Sequence, residues 1–208
     1  MEDSSSCRAV NNNFISIHLS NCSDILVSEN NNAKYGCSFS LTNSRNCTIS
    51  NCYADLIGLT NSYYNKFLHN NMTMIKQVAL EFFDSSSNLF FGNSIERSIQ
   101  LLEITGNSGN NLFVGNFIQG AFTYDPVINC SGVNTFYHNN FIYVYWNKTT
   151  QSTYNQWDNG SEGNYWNDYQ GVDTNHDGIG DSPHLIDVNN QDRHPLTKPL
   201  DLNLEPQP

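Results

Sequence analysis

Apolar positions in this chain follow neither a long helical stripe nor a long alternation; they come in a short motif that returns. Asn65-Lys66-Phe67-Leu68-His69-Asn70 is echoed by Asn88-Leu89-Phe90-Phe91-Gly92-Asn93, Asn111-Leu112-Phe113-Val114-Gly115-Asn116 and Asn134-Thr135-Phe136-Tyr137-His138-Asn139. From Asn65 through Asn88 and Asn111 to Asn134 the starts are evenly spaced, and a fixed short period predicts a solenoid in which each repeat is one coil laid on the last. Each copy sets an aromatic between two Asn with few helix formers around it, which predicts a short strand and then a turn. Stacked strands lie ~4.8 Å apart, so residues at one offset become a column along the stack. Phe67, Phe90, Phe113 and Phe136 are expected to form an apolar column inside. Asn65, Asn88, Asn111 and Asn134 are expected to form an amide ladder, each side chain donating to one neighbour and accepting from the other. Asn also tolerates the left-handed backbone that tight corners require.

The register extends outward from these four copies. Asn46-Cys47-Thr48-Ile49-Ser50-Asn51 reads as an earlier coil with Asn51 at the closing Asn and Thr48 in place of Phe; Asp24-Ile25-Leu26-Val27 is a looser copy, and Cys7 to Asn12 a partial first one. Downstream, Asn155-Gln156-Trp157 follows Asn134 at a slightly shorter interval and sets Trp157 at the aromatic offset. About seven coils result, a stack roughly 30 Å long, and parallel strands joined this way favour a right-handed path. The expected fold is all-β: a single right-handed parallel β-helix over 1–160 with an irregular cap over 161–208. The chain opens in mid-coil, so further N-terminal coils or a protein partner are expected at that end.

Composition narrows the partners. The 208 residues suit one domain, and the formal net charge of −11 argues against nucleic acid, whose phosphates need a basic surface. No apolar run is long enough to span a bilayer, and Met1 to Ser6 lack the basic start and apolar stretch of a secretion signal. The six cysteines form no C-x-x-C pairs, so a zinc site is not expected. Cys47 and Cys52 stand beside ladder positions, as small buried residues or, in an oxidising compartment, as partners in disulfides between adjacent coils.

A second motif lies beyond the coils. Asp173-Thr174-Asn175-His176-Asp177-Gly178-Ile179-Gly180-Asp181 follows the first nine positions of an EF-hand-type loop. Alternate oxygens from Asp173, Asn175 and Asp177 can meet at one centre, Gly178 permits the sharp turn, and the Ile179 carbonyl and Asp181 complete a candidate Ca²⁺ set. The twelfth position, a bidentate Glu in an EF-hand, is His184 here. A further carboxylate would have to come from Asp168, Asp187 or Asp192, and the alternative is an Asx-turn-rich loop without metal. Any such ion is expected to pin the cap to the coils.

The coils, taken with Trp157-Asp158-Asn159-Gly160, Gly163-Asn164-Tyr165-Trp166-Asn167-Asp168-Tyr169, Asp177-Gly178-Ile179-Gly180-Asp181 and Asn189-Asn190-Gln191-Asp192-Arg193-His194-Pro195-Leu196, resemble the NosD-like right-handed β-helix family with its carbohydrate-binding and sugar-hydrolase type repeats. The resemblance covers nearly the whole chain. It implies the fold, an extracellular or cell-surface location of archaeal type, and a link to polysaccharides or surface glycans.

Three functions follow as expectations. Copper handling, suggested by the family name, needs clustered His, Met or Cys. His69 and His138 share an offset but stand three coils apart, and only Met72 and Met74 could be neighbours, so the ligands argue against it. A polysaccharide lyase, epimerase or glycosidase would use Glu81, Glu103 and Asp125, whose equal spacing is close to the coil period, as an acidic outer column; Arg97 is the only Arg near them. Carbohydrate binding without catalysis draws on Tyr63, Tyr64, Tyr124, Tyr143, Tyr145 and Trp146 at turns or outer strand positions. Alternation in Tyr143-Val144-Tyr145-Trp146 predicts that about half of that stretch is exposed. The reading that fits most of the chain is a structural, carbohydrate-binding surface module with a calcium-stabilised cap.

Overall fold

The computed structural model describes residues 1–14, 16–30, 37–72, 78–98, 100–120, 126–146 and 153–202. Among these, every regular element is a β-strand, and all strand pairs but one are parallel. The chain winds as a parallel β-solenoid with three faces. The first sheet stacks seven short strands, Arg8–Val10, Leu26–Ser28, Thr48–Ser50, Lys66–Leu68, Leu89–Phe91, Leu112–Val114 and Thr135–Tyr137. The second stacks six, from Ser16–Ser20 to Val127–Cys130, and the third stacks five, from Asn71–Met72 to Tyr165–Trp166. The expected count of seven is thus met on the first face only, and the solenoid as a whole is shorter.

The corners explain why these sequences coil. Three columns of residues adopt positive φ, one after the first sheet and two in the passage from the second sheet to the first: Asn11, Glu29, Asn51, His69, Gly92, Gly115 and His138 after the first; Asp3, Asn21, Asn43, Asn61, Asp84 and Gly106 after the second; and Ser6, Asp24, Asn46, Tyr64, Ser87 and Asn110 just before the first. The left-handed conformation turns the chain within a single residue, which is why Asn, Asp and Gly dominate these columns. At Gly92 the need is also steric, since a Cβ there would lie 2.5 Å from Nδ1 of His69 on the coil before.

Inside, one column runs Ala9, Val27, Ile49, Phe67, Phe90, Phe113, Phe136, in register along the first sheet. The four Phe rings stack with centroids 4.6, 5.0 and 4.5 Å apart, and Trp157 continues them at 4.4 Å. Flanking this core are two amide ladders. Asn65, Asn88, Asn111, Asn134 and Asn155 are linked by Nδ2 to Oδ1 bonds of 3.1, 2.9, 2.9 and 3.2 Å. Asn70, Asn93, Asn116, Asn139 and Asn164 are linked at 3.1, 3.0, 2.9 and 2.9 Å. Each ladder oxygen also accepts the backbone N–H of the residue one coil earlier, and the second side-chain N–H goes to a main-chain carbonyl, as in Asn88 to Ser62 and Asn93 to Phe67. Every buried amide hydrogen so placed has an acceptor, which is what permits a polar column beside an apolar one.

The N-terminal register differs from expectation by one residue. Thr48 pairs with Lys66 and Ile49 with Phe67, so Ile49 holds the aromatic offset and Cys47 and Cys52 hold the two ladder positions, with their N–H groups donating to Asn65 and Asn70 Oδ1. Asn46 and Asn51 stand at the left-handed corners instead, at φ 54° and 52°. Since Asn serves both roles, its presence alone could not fix which one it played. All six cysteines are free thiols, five of them buried. Burial pushes the Cys37 thiol up to about 11 and also raises Cys47, Cys52 and Cys130.

Candidate cap cleft

The C-terminal end of the stack carries an open surface cleft. The interior aromatics end in two indoles, and each N–H finds an acceptor on the final hairpin, His184–Leu185 with Gln191–Asp192. Trp157 Nε1 donates to Asn190 Oδ1 at 3.1 Å and Trp166 Nε1 to Asp192 Oδ2 at 2.9 Å. The ladders end on the same residues. Asn155 N donates to Asn190 Oδ1, whose amide donates in turn to Asp187; Asn164 N and Nδ2 donate to Asp192 Oδ2 at 2.7 and 3.2 Å. A ladder whose donors all point one way needs an acceptor-only group at its end, and a carboxylate supplies it. The approach is close: a Cβ on Gly163 would lie 1.9 Å from Asp192 Oδ1. Burial pushes the Asp192 carboxyl up to about 6 against the hydrogen bonds it accepts from Trp166, Asn164 and His194.

Between the last coil and this hairpin lies a cleft of about 400 Å³. Residues 154–158 line one side; Leu185, 187–191 and Arg193 line the other. Tyr154, Leu185 and Val188 are each 58 % exposed there. Asp158, 1 % exposed, receives Arg193 Nε at 2.9 Å and Nη2 at 2.7 Å, while half of the Arg193 side chain faces solvent. Burial raises the Asp158 carboxyl, but the Arg193 hydrogen bonds and charge, with the Gly160 N–H, more than offset this and hold it below the usual carboxylate range.

The expected metal loop adjoins the cap and is closed by its own hydrogen bonds. Asp173 accepts Asp177 N at 3.2 Å and Gly178 N at 3.0 Å; Asp177 accepts Ile179 N at 2.9 Å and Asn175 Nδ2 at 2.8 Å. These two donors hold the Asp177 carboxyl below its ordinary range. Asp181 turns to the N–H and hydroxyl of Thr174. Among the described residues no three His, Cys, Asp or Glu side chains gather as a metal cluster. Asp173, Asn175 and Asp177 do face one another in the loop, and a cation there would replace the Asn175–Asp177 hydrogen bond. The further carboxylates are engaged elsewhere: Asp192 and Asp187 on the ladders, Asp168 at 3.7 Å from His184. His184 itself is buried and stacks on Trp166 with centroids 4.5 Å apart. The loop is fastened to the cap by Gly180 N to Pro195 O and Thr197 N to Gly178 O, at 2.8 and 2.9 Å, while Leu196 N reaches the coil at Asn164 O.

The acidic column is shorter than expected. Glu81 and Glu103 are register partners on the outer face of the second sheet, but the next partner of Glu103 is Val127 and the preceding partner of Glu81 is Gly58. The coil that follows Glu103 is longer than the one before it, so Val127 takes the place expected of Asp125 in this column; Asp125 itself lies outside the described residues. So do Tyr124 and Met74. His69 and His138 occupy equivalent corners with Gly92 and Gly115 between them, and His138 instead meets Glu162 at 2.6 Å. Tyr63, Tyr64, Tyr143 and Tyr145 are exposed and Val144 is buried, while Trp146 is half-buried and packs edge-on against Trp157.

Tyr154 and the Asp158–Arg193 pair were not singled out from sequence as a site. Both halves of the pair stood within quoted motifs, but 35 positions apart, and nothing in the letters joins them. No family model, curated protein or solved structure gives a match to this chain.

Proposed function

We propose that this chain is a β-helix surface module that binds carbohydrate and carries out no chemistry of its own. The observation that supports this best is the cap cleft, an open groove with an exposed Tyr face beside amide and guanidinium groups. Such a mixture suits a sugar ring, whose C–H face is apolar and whose edge is ringed with hydroxyls. The parallel solenoid is consistent with the NosD-like resemblance at the level of fold, and from that resemblance we carry over the extracellular or cell-surface location and the polysaccharide link as parts of the proposal. Ca²⁺ bound by Asp173, Asn175, Asp177, Ile179 and Asp181 would add to the backbone bonds that already hold the loop. The test is a thermal melt with and without calcium, Asp177→Ala serving as control, followed by a panel of glycans. A calcium-dependent rise confined to the unmutated chain, and a further rise with an uncleaved glycan, is the expected result.

One observation favours the rival enzyme reading: two carboxylates, Glu81 and Glu103, adjacent on one outer face, which suit the nucleophile and acid of a retaining glycosidase or the calcium and uronate binding of a lyase or epimerase. Release of shortened or unsaturated products in the same panel, abolished by Glu81→Gln, would replace the binding reading with it.

A further inference from the structure

We propose that the cap cleft selects an uncharged saccharide, with one ring laid on Tyr154, and rejects both carboxylated and amino sugars. This rests on the carbohydrate reading above and specifies its ligand. Size comes first: about 400 Å³ is near the lower end of small-molecule sites, which run ~300–1,000 Å³, so the cleft takes a short segment or a chain end.

Charge decides the class. The lining carries one guanidinium, Arg193, and two carboxylates, Asp158 and Asp187. Arg193 is already compensated by the two-pronged contact with Asp158, so a sugar carboxylate or sulfate would have to compete with a buried, better-aligned partner. Neither carboxylate is offered to a cation. Asp158 is 1 % and Asp187 7 % exposed, and the latter receives Asn189 N at 2.7 Å and Asn190 Nδ2 at 3.0 Å. The surface left to a ligand is dipolar: the Tyr154 ring and phenol, the outer N–H groups of a held guanidinium, and the exposed side-chain amide of Gln191. Those groups donate to and accept from hydroxyls at no cost in unpaired charge, and the immobilised Arg193 loses little freedom on binding.

The experiment is calorimetric titration of the full chain with neutral glucose, mannose and galactose oligomers, an oligogalacturonate and an oligomer of glucosamine, at low and high salt. We expect a neutral oligomer to bind with little salt dependence, the charged ones to bind at least about tenfold more weakly, and Tyr154→Ala to weaken the neutral ligand by at least about tenfold. Val188→Trp, which fills the cleft from the other wall, should do the same; both replace exposed side chains, and unchanged melting confirms that they fold. Equal or tighter binding of a charged oligomer overturns the class while leaving carbohydrate binding intact. Binding that survives both substitutions overturns the site alone. No binding by any of them overturns this proposal and the reading beneath it together.

Discussion

The two ends of the stack build one architecture from two vocabularies. In the first sheet the paired strands begin at Arg8, Leu26, Thr48 and Lys66, so that short, long and short coils alternate; from Lys66 through Leu89 and Leu112 to Thr135 the coil length is constant. The early coils set Ala9, Val27 and Ile49 where the later ones set Phe, so the inner column passes from aliphatic to aromatic along the stack. Two of their ladder positions hold Cys47 and Cys52, whose thiols are weak hydrogen-bonding groups, where the later coils hold Asn, although Asn30 already stands on the second ladder. The fold therefore does not depend on Asn or Phe as such; what persists is a left-handed corner and an inward small or large apolar residue.

The comparison breaks most clearly in the aromatic column. Phe113 is sandwiched between Phe90 and Phe136, with Phe82 at 6.0 Å, and is fully buried. Phe113→Ala should cost about 3–5 kcal/mol, and the matching truncation Ile49→Ala in the aliphatic half nearer about 2 kcal/mol. Equal costs in chemical denaturation would show that the two halves share one packing regime.

Next is the ladder. Asn111→Ala leaves the main-chain N–H and one side-chain N–H of Asn88 without an acceptor, and Ser85 O without its side-chain donor, while Asn134 Oδ1 keeps the main-chain N–H of residue 111. At ~1–3 kcal/mol for each buried orphan that water cannot reach, the loss should be at least about 2 kcal/mol. A substitution tolerated within experimental error would mean that the amides fill space and little more.

The same contrast explains what could be read in advance. Four copies of Asn, Phe and Asn at constant spacing made the strand, the turn and both columns legible, and Trp157 was placed by counting alone. The early coils were misregistered by one residue because their length alternates, and a one-residue slip in a strand exchanges inside for outside. Cys47 was therefore read beside the ladder, not on it. At the cap, Asp173, Asn175 and Asp177 are neighbours because they are sequence-local, while Asp181 turns to Thr174. The cleft was not legible, since Tyr154, Asp158 and Arg193 are joined only when the hairpin folds back over the last coil.

The later ladders also run into carboxylates, which makes that end sensitive to pH. Asp192 has its pKa raised to about 6 in the fold, above the unfolded value of 3.8. The folded state thus holds the proton more tightly, and the stability so gained is full below the unfolded pKa and lost as pH rises through about 6. In chemical denaturation at pH 7 and at pH 4, the unmutated chain should gain on the order of 2 kcal/mol at the lower pH relative to Asp192→Asn, whose neutral amide keeps an acceptor for Trp166 but cannot titrate. Parallel pH dependence in the two proteins would refute it.

The smallest expected effect is the sharpest test of the two vocabularies. Cys52 stands between Asn30 and Asn70 in the second ladder: its N–H donates to Asn70 Oδ1 at 3.1 Å, and Asn30 Nδ2 reaches its sulfur at only 3.9 Å. An Asn at this position would accept that Asn30 N–H with a better acceptor and donate its own amide to Asn70 Oδ1, joining the early rung to the later ones. Cys52→Asn should therefore stabilise the chain by up to about 1 kcal/mol, the net worth of one more buried hydrogen bond. The opposing term is size, because the 1 % exposed site holds a thiol and must accept a larger amide. If stability rises, the early coils differ from the later ones only by a missing rung. If it falls by a kilocalorie or more, their narrower cross-section excludes the amide, and coil length, not ladder chemistry, has selected cysteine there.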